Sequence, residues 1–329
     1  MNHGGNLHDA KALFPEASEP WIDLSTGINP NAYPVSFSDP TVFTRLPSQQ
    51  AVRELEHAAA RAYGVPDPCL IVAAPGSQSL IELLPRLRPK GRVAIVGPTY
   101  NEHAACWMGQ GHECIAVANL SDALSERTDN IVLVNPNNPD GRVVVAPELA
   151  RAAAIMQARG GWLVVDEAFA DIEDGVSIAH RDLPGTVILR SFGKTYGLAG
   201  IRLGFAIAAR PIVDEIRAQL GLWAISGPAL AIGIAAFADD AWLVSQKDVL
   251  RAAVSDLDRV LSRSGFRIVG GTLLFRLARH PAAASVFDDL ARAGIWVRKF
   301  PHDAAILRFG IPPKDGLPRL EAALNGRLG

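Results

Sequence analysis

Ile131-Val132-Leu133-Val134-Asn135-Pro136-Asn137-Asn138-Pro139-Asp140-Gly141 places four apolar residues in a row before a turn rich in asparagine and proline. A run that short and that continuously apolar reads as a strand buried on both faces. The same figure recurs along the chain. Leu70-Ile71-Val72-Ala73 precedes a helix from about Ser77, and Arg92-Val93-Ala94-Ile95-Val96 precedes Gly97-Pro98. Trp162-Leu163-Val164-Val165 ends in Asp166-Glu167, and Val187-Ile188-Leu189-Arg190 ends in Ser191. Helical segments lie between these runs. The alternation predicts an α/β domain whose sheet is largely parallel, with helices on both faces. Open sheets of this kind bind ligands beyond the carboxyl ends of their strands, which is where the polar residues collect here.

Outward from that core the pattern changes. Val52, Leu55, Ala59 and Ala62 recur at helical spacing between Ala51 and Tyr63, with Gly64 as the C-cap. The first thirty residues, rich in Gly, Pro and Asn, show little periodicity and read as an arm that packs against something else. One long amphipathic helix is expected from about Asp240 to Ser264. Short strands follow at Phe266 to Val269, Leu273 to Leu277, Trp296 to Lys299 and Ala305 to Phe309, separated by helices. The expected organisation is an arm (1–30), a large domain (31–240) and a smaller α+β domain (241–329), consistent with a 329-residue chain exceeding one core.

Composition narrows the function classes. Lysine and arginine number 32 against 34 acidic residues, so there is no basic footprint for nucleic acid or an anionic membrane surface. Anionic substrates must therefore be captured by individual arginines. Cys69, Cys106 and Cys114 lack C-x-x-C spacing, which argues against a disulfide framework or a metal site and fits a reducing cytoplasm. The polar start of the chain reads as no secretory signal. Leu220 to Ala238, the most apolar stretch, is interrupted by Ser226, Gly227 and Pro228 and does not read as a membrane span.

Two nucleotide motifs fail on inspection. Gly193-Lys194-Thr195 would need a glycine at position 188, which is Ile, and Gly109-x-Gly111 meets Cys114 where a third glycine belongs. A different set coheres: the Asn135–Gly141 turn, Asp166-Glu167-Ala168, and Ser191-x-x-Lys194 with Arg202 eight residues on. Together they resemble the fold-type-I pyridoxal-phosphate enzymes, specifically the class I/II aminotransferase group, over almost the entire chain. The resemblance implies pyridoxal 5'-phosphate as cofactor. It implies that Lys194 forms the imine with the cofactor aldehyde, that Asp166 pairs with the pyridinium nitrogen and that Tyr100 stacks on the ring. Asn138 would donate to the ring hydroxyl, and Arg202 with Ser191 would hold the phosphate. The residue chemistry is compatible with these roles. Lysine forms imines, and a confined site near cations lowers its pKa. Gly76-Ser77-Gln78, between a strand and a helix, offers backbone N–H groups to an anion.

The amino terminus is more specific. His3-Gly4-Gly5-Asn6, Leu24-Ser25-Thr26-Gly27-Ile28-Asn29-Pro30 and Gly270-Gly271-Thr272-Leu273-Leu274-Phe275-Arg276 resemble the threonine-phosphate decarboxylase family of cobalamin biosynthesis. Phe169 stands where the sister histidinol-phosphate aminotransferases usually carry Tyr. The implied reaction converts L-threonine O-3-phosphate to (R)-1-amino-2-propanol O-2-phosphate and carbon dioxide; the alternative is an aminotransferase acting on histidinol phosphate or a related amino acid. The resemblance assigns Arg308 to the substrate carboxylate, assisted by Asn29, and Arg298 with His3 to the substrate phosphate. Gly4, Gly5 and Asn138 complete the substrate side, and a homodimer is implied. Leu46-Pro47-Ser48 departs from the family's Tyr-Pro-Asp, so the contact that this Tyr makes to the partner's cofactor phosphate is either absent or supplied by another residue.

Overall fold

The computed structural model describes residues 4–37, 39–181 and 183–326, in two compact units. The larger spans Tyr33–Leu243; the smaller combines the residues up to Ala32 with those from Val244 onward.

The larger unit is built on a seven-stranded sheet. From edge to edge its strands are Ile71–Ala74, Gly204–Ala208, Thr186–Ser191, Trp162–Asp166, Asn130–Val134, Arg92–Val96 and Glu113–Val117. All neighbours are parallel except at Gly204–Ala208, which runs antiparallel to both strands beside it. Successive residues of the central strands feed opposite faces, as period-two geometry requires. Ile131, Leu133, Leu163, Val165 and Ile188 join one apolar cluster, while Val132, Val164, Val187 and Leu189 join another. That double burial is why these strands lack polar alternation, and each such side chain contributes roughly 1.5–3 kcal/mol relative to exposure.

Two strands of this sheet were not foreseen. Glu113–Val117 sits at an edge and is only half-buried, so it lacks the apolar run that marks its neighbours. Gly204–Ala208 is composed of small residues around Phe205 and Ile207, and a glycine opening reads as a turn rather than a strand.

The smaller unit holds a five-stranded sheet in the order Ile22–Leu24, Ile295–Phe300, Asp303–Gly310, Phe275–Arg279 and Arg267–Thr272. The first pair is parallel and the others antiparallel. The opening segment is therefore more ordered than its composition suggests. It contains a helix, Leu7–Leu13, capped by the Asn6 side chain, and it donates the edge strand Ile22–Leu24. The strand expected to begin at Leu273 begins at Phe275, because Leu273 and Leu274 form the hairpin turn, with the Leu274 N–H donating to Thr272 Oγ1. The long helix runs Asp240–Arg263. Among the described residues no single helix is long and apolar enough to cross a membrane.

Candidate active site

The carboxyl ends of the central strands in the larger unit bring together most of the residues singled out there. Asp166 ends its strand and is 4% exposed. A buried carboxylate needs donors on its lone pairs. The Ala168 N–H donates to Oδ1 at 3.0 Å, and His103 Nε2 lies 2.9 Å from Oδ2. His103 is itself 1% exposed. It sits three residues after Tyr100 in the first turn of helix Asn101–Gly109, and their rings meet edge to face at 6.1 Å. The Tyr100 hydroxyl donates to Gln78 Oε1 at 3.2 Å, joining the helix that starts at Ser77.

His103 was missed in the sequence, where an isolated histidine carries no signal. The i, i+3 spacing from Tyr100 could have revealed it, since that spacing puts two side chains on one helix face.

Around Gly76 the chain approaches itself closely. Gly76 has φ 85° and ψ 154°, a region open only to glycine. A Cβ there would lie 2.6 Å from Arg202 Nη2, so the missing side chain is what lets the guanidinium reach the backbone. Arg202 takes the left-handed conformation, φ 55°, and donates from Nη1 to the Ala199 carbonyl. Gly204 pairs in register with Ser191, and a Cβ on it would lie 2.4 Å from the Ser77 nitrogen. Gly76, Ser77, Ser191 and Arg202 thus converge on one corner of the sheet, where backbone N–H groups and a guanidinium suit an anion.

Lys194 follows Ser191 in the short helix Phe192–Thr195 and is half-buried. Its Nζ lies 5.2 Å from the centre of the buried Phe169 ring. The asparagine-rich turn is held by its neighbours. Asn135 exchanges two hydrogen bonds with the Val144 backbone, and its N–H donates to the Asp166 carbonyl. The Asn137 side chain donates to the Pro98 carbonyl and accepts from Thr99 Oγ1, fixing the turn beside Tyr100. Asn138 follows, half-buried.

Glu167 faces the other way. It accepts from Arg190 Nη1 at 2.5 Å, from Ser177 and from the Ile178 N–H, while Arg190 also pairs with Asp171 and lies 4.2 Å from the Tyr63 ring. Burial alone would lower the Arg190 pKa, but Asp171 and Glu167 raise it on balance. This buried ion-pair network braces the strands behind Asp166 and Ser191.

The remaining singled-out residues belong to the smaller unit. Arg298 and Arg308 are direct partners across the antiparallel pair of strands. Arg308 is 6% exposed, donates to the Ser25 carbonyl at 2.6 Å and covers the Phe275 ring at 5.1 Å. Burial, then the neighbouring Arg298 guanidinium, push its pKa down to about 9, with Asp23 partly opposing. A buried guanidinium beside a half-buried one is a natural counterpart for an anion. Asn29 is buried and caps its own turn, accepting from the Asn31 N–H at 2.9 Å. Gly4 and Gly5 pack on Ser25 and Thr26, whereas His3 lies outside the described residues.

Residues 19–320 match the family model for aminotransferase class I and II. A threonine-phosphate decarboxylase from a Sinorhizobium species is 42% identical over 97% of this chain and 98% of its own length. One from Pseudomonas aeruginosa is 39% identical over 99% and 98%. Among solved structures, a histidinol-phosphate aminotransferase from Sinorhizobium meliloti in complex with pyridoxal-5'-phosphate superposes with a TM-score of 0.82, covering 97% of this chain and 93% of its own, at 22% identity.

Proposed function

The chain belongs to the class I and II aminotransferase family, and from that premise we propose that it decarboxylates L-threonine O-3-phosphate using pyridoxal 5'-phosphate, releasing (R)-1-amino-2-propanol O-2-phosphate and carbon dioxide for cobalamin biosynthesis. One observation carries the choice of reaction. Identity of 42% to a threonine-phosphate decarboxylase covers 97% of the chain, whereas a histidinol-phosphate aminotransferase matches at 30% over 77%.

The residues present fit the cofactor. The Gly76-Ser77 backbone, with the Arg202 guanidinium drawn against it where Gly76 lacks a side chain, suits a phosphate group. Asp166, buried and already accepting from His103 and Ala168, suits a protonated ring nitrogen. When bound, pyridoxal phosphate supplies an electron sink for the bond being broken at the substrate Cα.

In this reading each side chain has a defined task. Lys194 would hold the cofactor covalently and, once the substrate amine has displaced it, would be the ammonium group able to give a proton to the substrate Cα. Asp166 would pair with the ring nitrogen, and His103, 2.9 Å from its Oδ2, orients the carboxylate. Arg202, Ser191 and the Gly76-Ser77-Gln78 backbone hold the cofactor phosphate, Tyr100 covers the ring, and Asn138 donates to its oxygen. Phe169 cannot donate there, which leaves Asn138 as the donor. Arg308, assisted by Asn29, takes the substrate carboxylate, and Arg298, with His3, takes the substrate phosphate. Gly4 and Gly5 carry the arm against that end. By holding the carboxylate and the phosphate of the substrate, these contacts would set which bond at Cα is presented for cleavage and so would select decarboxylation.

A homodimer in the cytoplasm completes the proposal. Phe43, Leu46, Leu222 and Trp223 expose large apolar surface in the larger unit. The close approach of Gly227 to the Val42 carbonyl brings the two segments that bear them together. A patch of this kind is suited to a second copy. The test is product analysis. Holoenzyme and L-threonine O-3-phosphate should yield carbon dioxide without any keto-acid acceptor; efficient turnover of histidinol phosphate with 2-oxoglutarate would select the aminotransferase reading instead.

A further inference from the structure

Ser25 uses every hydrogen-bonding group it has. It is fully buried, at 0% exposure, in the segment that follows the edge strand Ile22–Leu24. Its N–H donates to Asp23 Oδ1 at 2.8 Å, and its hydroxyl donates to the same oxygen at 2.6 Å. That hydroxyl also accepts from the Gly5 N–H at 2.8 Å. A serine hydroxyl offers one proton and two lone pairs, so both bonds can form together. The Ser25 carbonyl accepts from Arg308 Nη2 at 2.6 Å.

Two glycines allow this meeting. A Cβ on Gly4 would lie 2.3 Å from the Ser25 carbonyl oxygen, the same atom that Arg308 grips. A Cβ on Gly310, two residues beyond Arg308, would lie 2.4 Å from the Thr26 carbonyl. The arm, the 23–26 segment and the strand carrying Arg308 are therefore drawn onto one residue.

We propose that Ser25 is a positioning residue that couples docking of the Gly4–Gly5 arm to the orientation of the Arg308 guanidinium, so that substrate carboxylate binding and arm docking reinforce one another. The proposal rests on the reading that Arg308 binds the substrate carboxylate. Coupling through a shared node is reciprocal. Loosening the arm weakens the grip of Arg308 on an anion, and removing Arg308 loosens the arm.

The experiment is a double-mutant cycle on the holoenzyme with L-threonine O-3-phosphate, using Ser25→Ala, Arg308→Ala and the pair. Ser25→Ala should raise KM about tenfold, within the range usual for coupled sites, and leave kcat within about twofold. Gly4→Ala, whose Cβ would meet the Ser25 carbonyl, should raise KM in the same direction and serves where Ser25→Ala fails to fold. In the Arg308→Ala background neither change should raise KM further. Hydrogen exchange at the Gly5 amide should accelerate in both Ser25→Ala and Arg308→Ala.

A full further increase of KM in the double variant would overturn the coupling, because additive losses mean that Ser25 acts apart from Arg308. An unchanged KM in Ser25→Ala and Gly4→Ala, with a raised KM in Arg308→Ala, would overturn it while leaving the carboxylate reading intact. An unchanged KM in Arg308→Ala would remove that reading and the proposal with it.

Discussion

Replacing Gly76 with alanine should weaken cofactor binding as well as the fold. The backbone at Gly76, φ 85° and ψ 154°, lies in a region that costs other residues about 1–3 kcal/mol. That cost falls on stability. A second cost falls on the cofactor, because the new Cβ would lie 2.6 Å from Arg202 Nη2 and must push the guanidinium away. Losing a hydrogen bond to a charged group costs about 1.5–3 kcal/mol, or roughly 10- to 150-fold in affinity. Gly160 provides the control: its φ is also positive, 69°, but a Cβ there meets nothing within 4 Å. Gly160→Ala should lower Tm and leave cofactor affinity unchanged. The assay titrates apoprotein of both variants with pyridoxal phosphate and follows absorbance. Equal affinity in Gly76→Ala and wild type would refute the placement of the cofactor phosphate at this corner.

Other perturbations probe the rest of the site. His103→Ala removes a 2.9 Å partner from the buried Asp166 and should cut kcat by about ten- to a hundredfold while shifting the pH dependence of cofactor absorbance; an effect within twofold would leave His103 a packing residue. Arg298→Ala should erase the preference for threonine phosphate over threonine in kcat/KM, whereas Arg308→Ala should damage both substrates and preserve that ratio; the opposite ranking would exchange their roles. Leu222→Asp with Trp223→Asp should shift the protein to a monomer on gel filtration, and an unchanged elution would put the interface elsewhere.

The sequence makes the central sheet legible because buried parallel strands are continuously apolar, and Asn130–Val134 and Trp162–Asp166 carry that signal undiluted. Edge and irregular strands carry less. Glu113–Val117 is half-exposed, and Ile22–Leu24 has three residues amid a segment rich in turn formers. Within the site, residues in contiguous motifs could be read directly, since Ser191, Lys194 and Arg202 share one short span. His103 is reached only through its i, i+3 spacing from Tyr100, because its contact with Asp166 spans 63 residues. Ser25 escaped for a different reason. Its importance lies in four hydrogen bonds that converge from three segments, and a serine in a turn looks the same whether it makes one or four.

Lys194, in the short helix that follows Ser191, is the residue proposed to carry the cofactor. Borohydride reduction of the holoenzyme, followed by peptide mapping, measures this directly by fixing the cofactor to whichever lysine holds it. The label is expected on the peptide containing Lys194 alone. Recovery on Lys90, Lys247 or any other lysine would contradict the site described here and the reaction built on it.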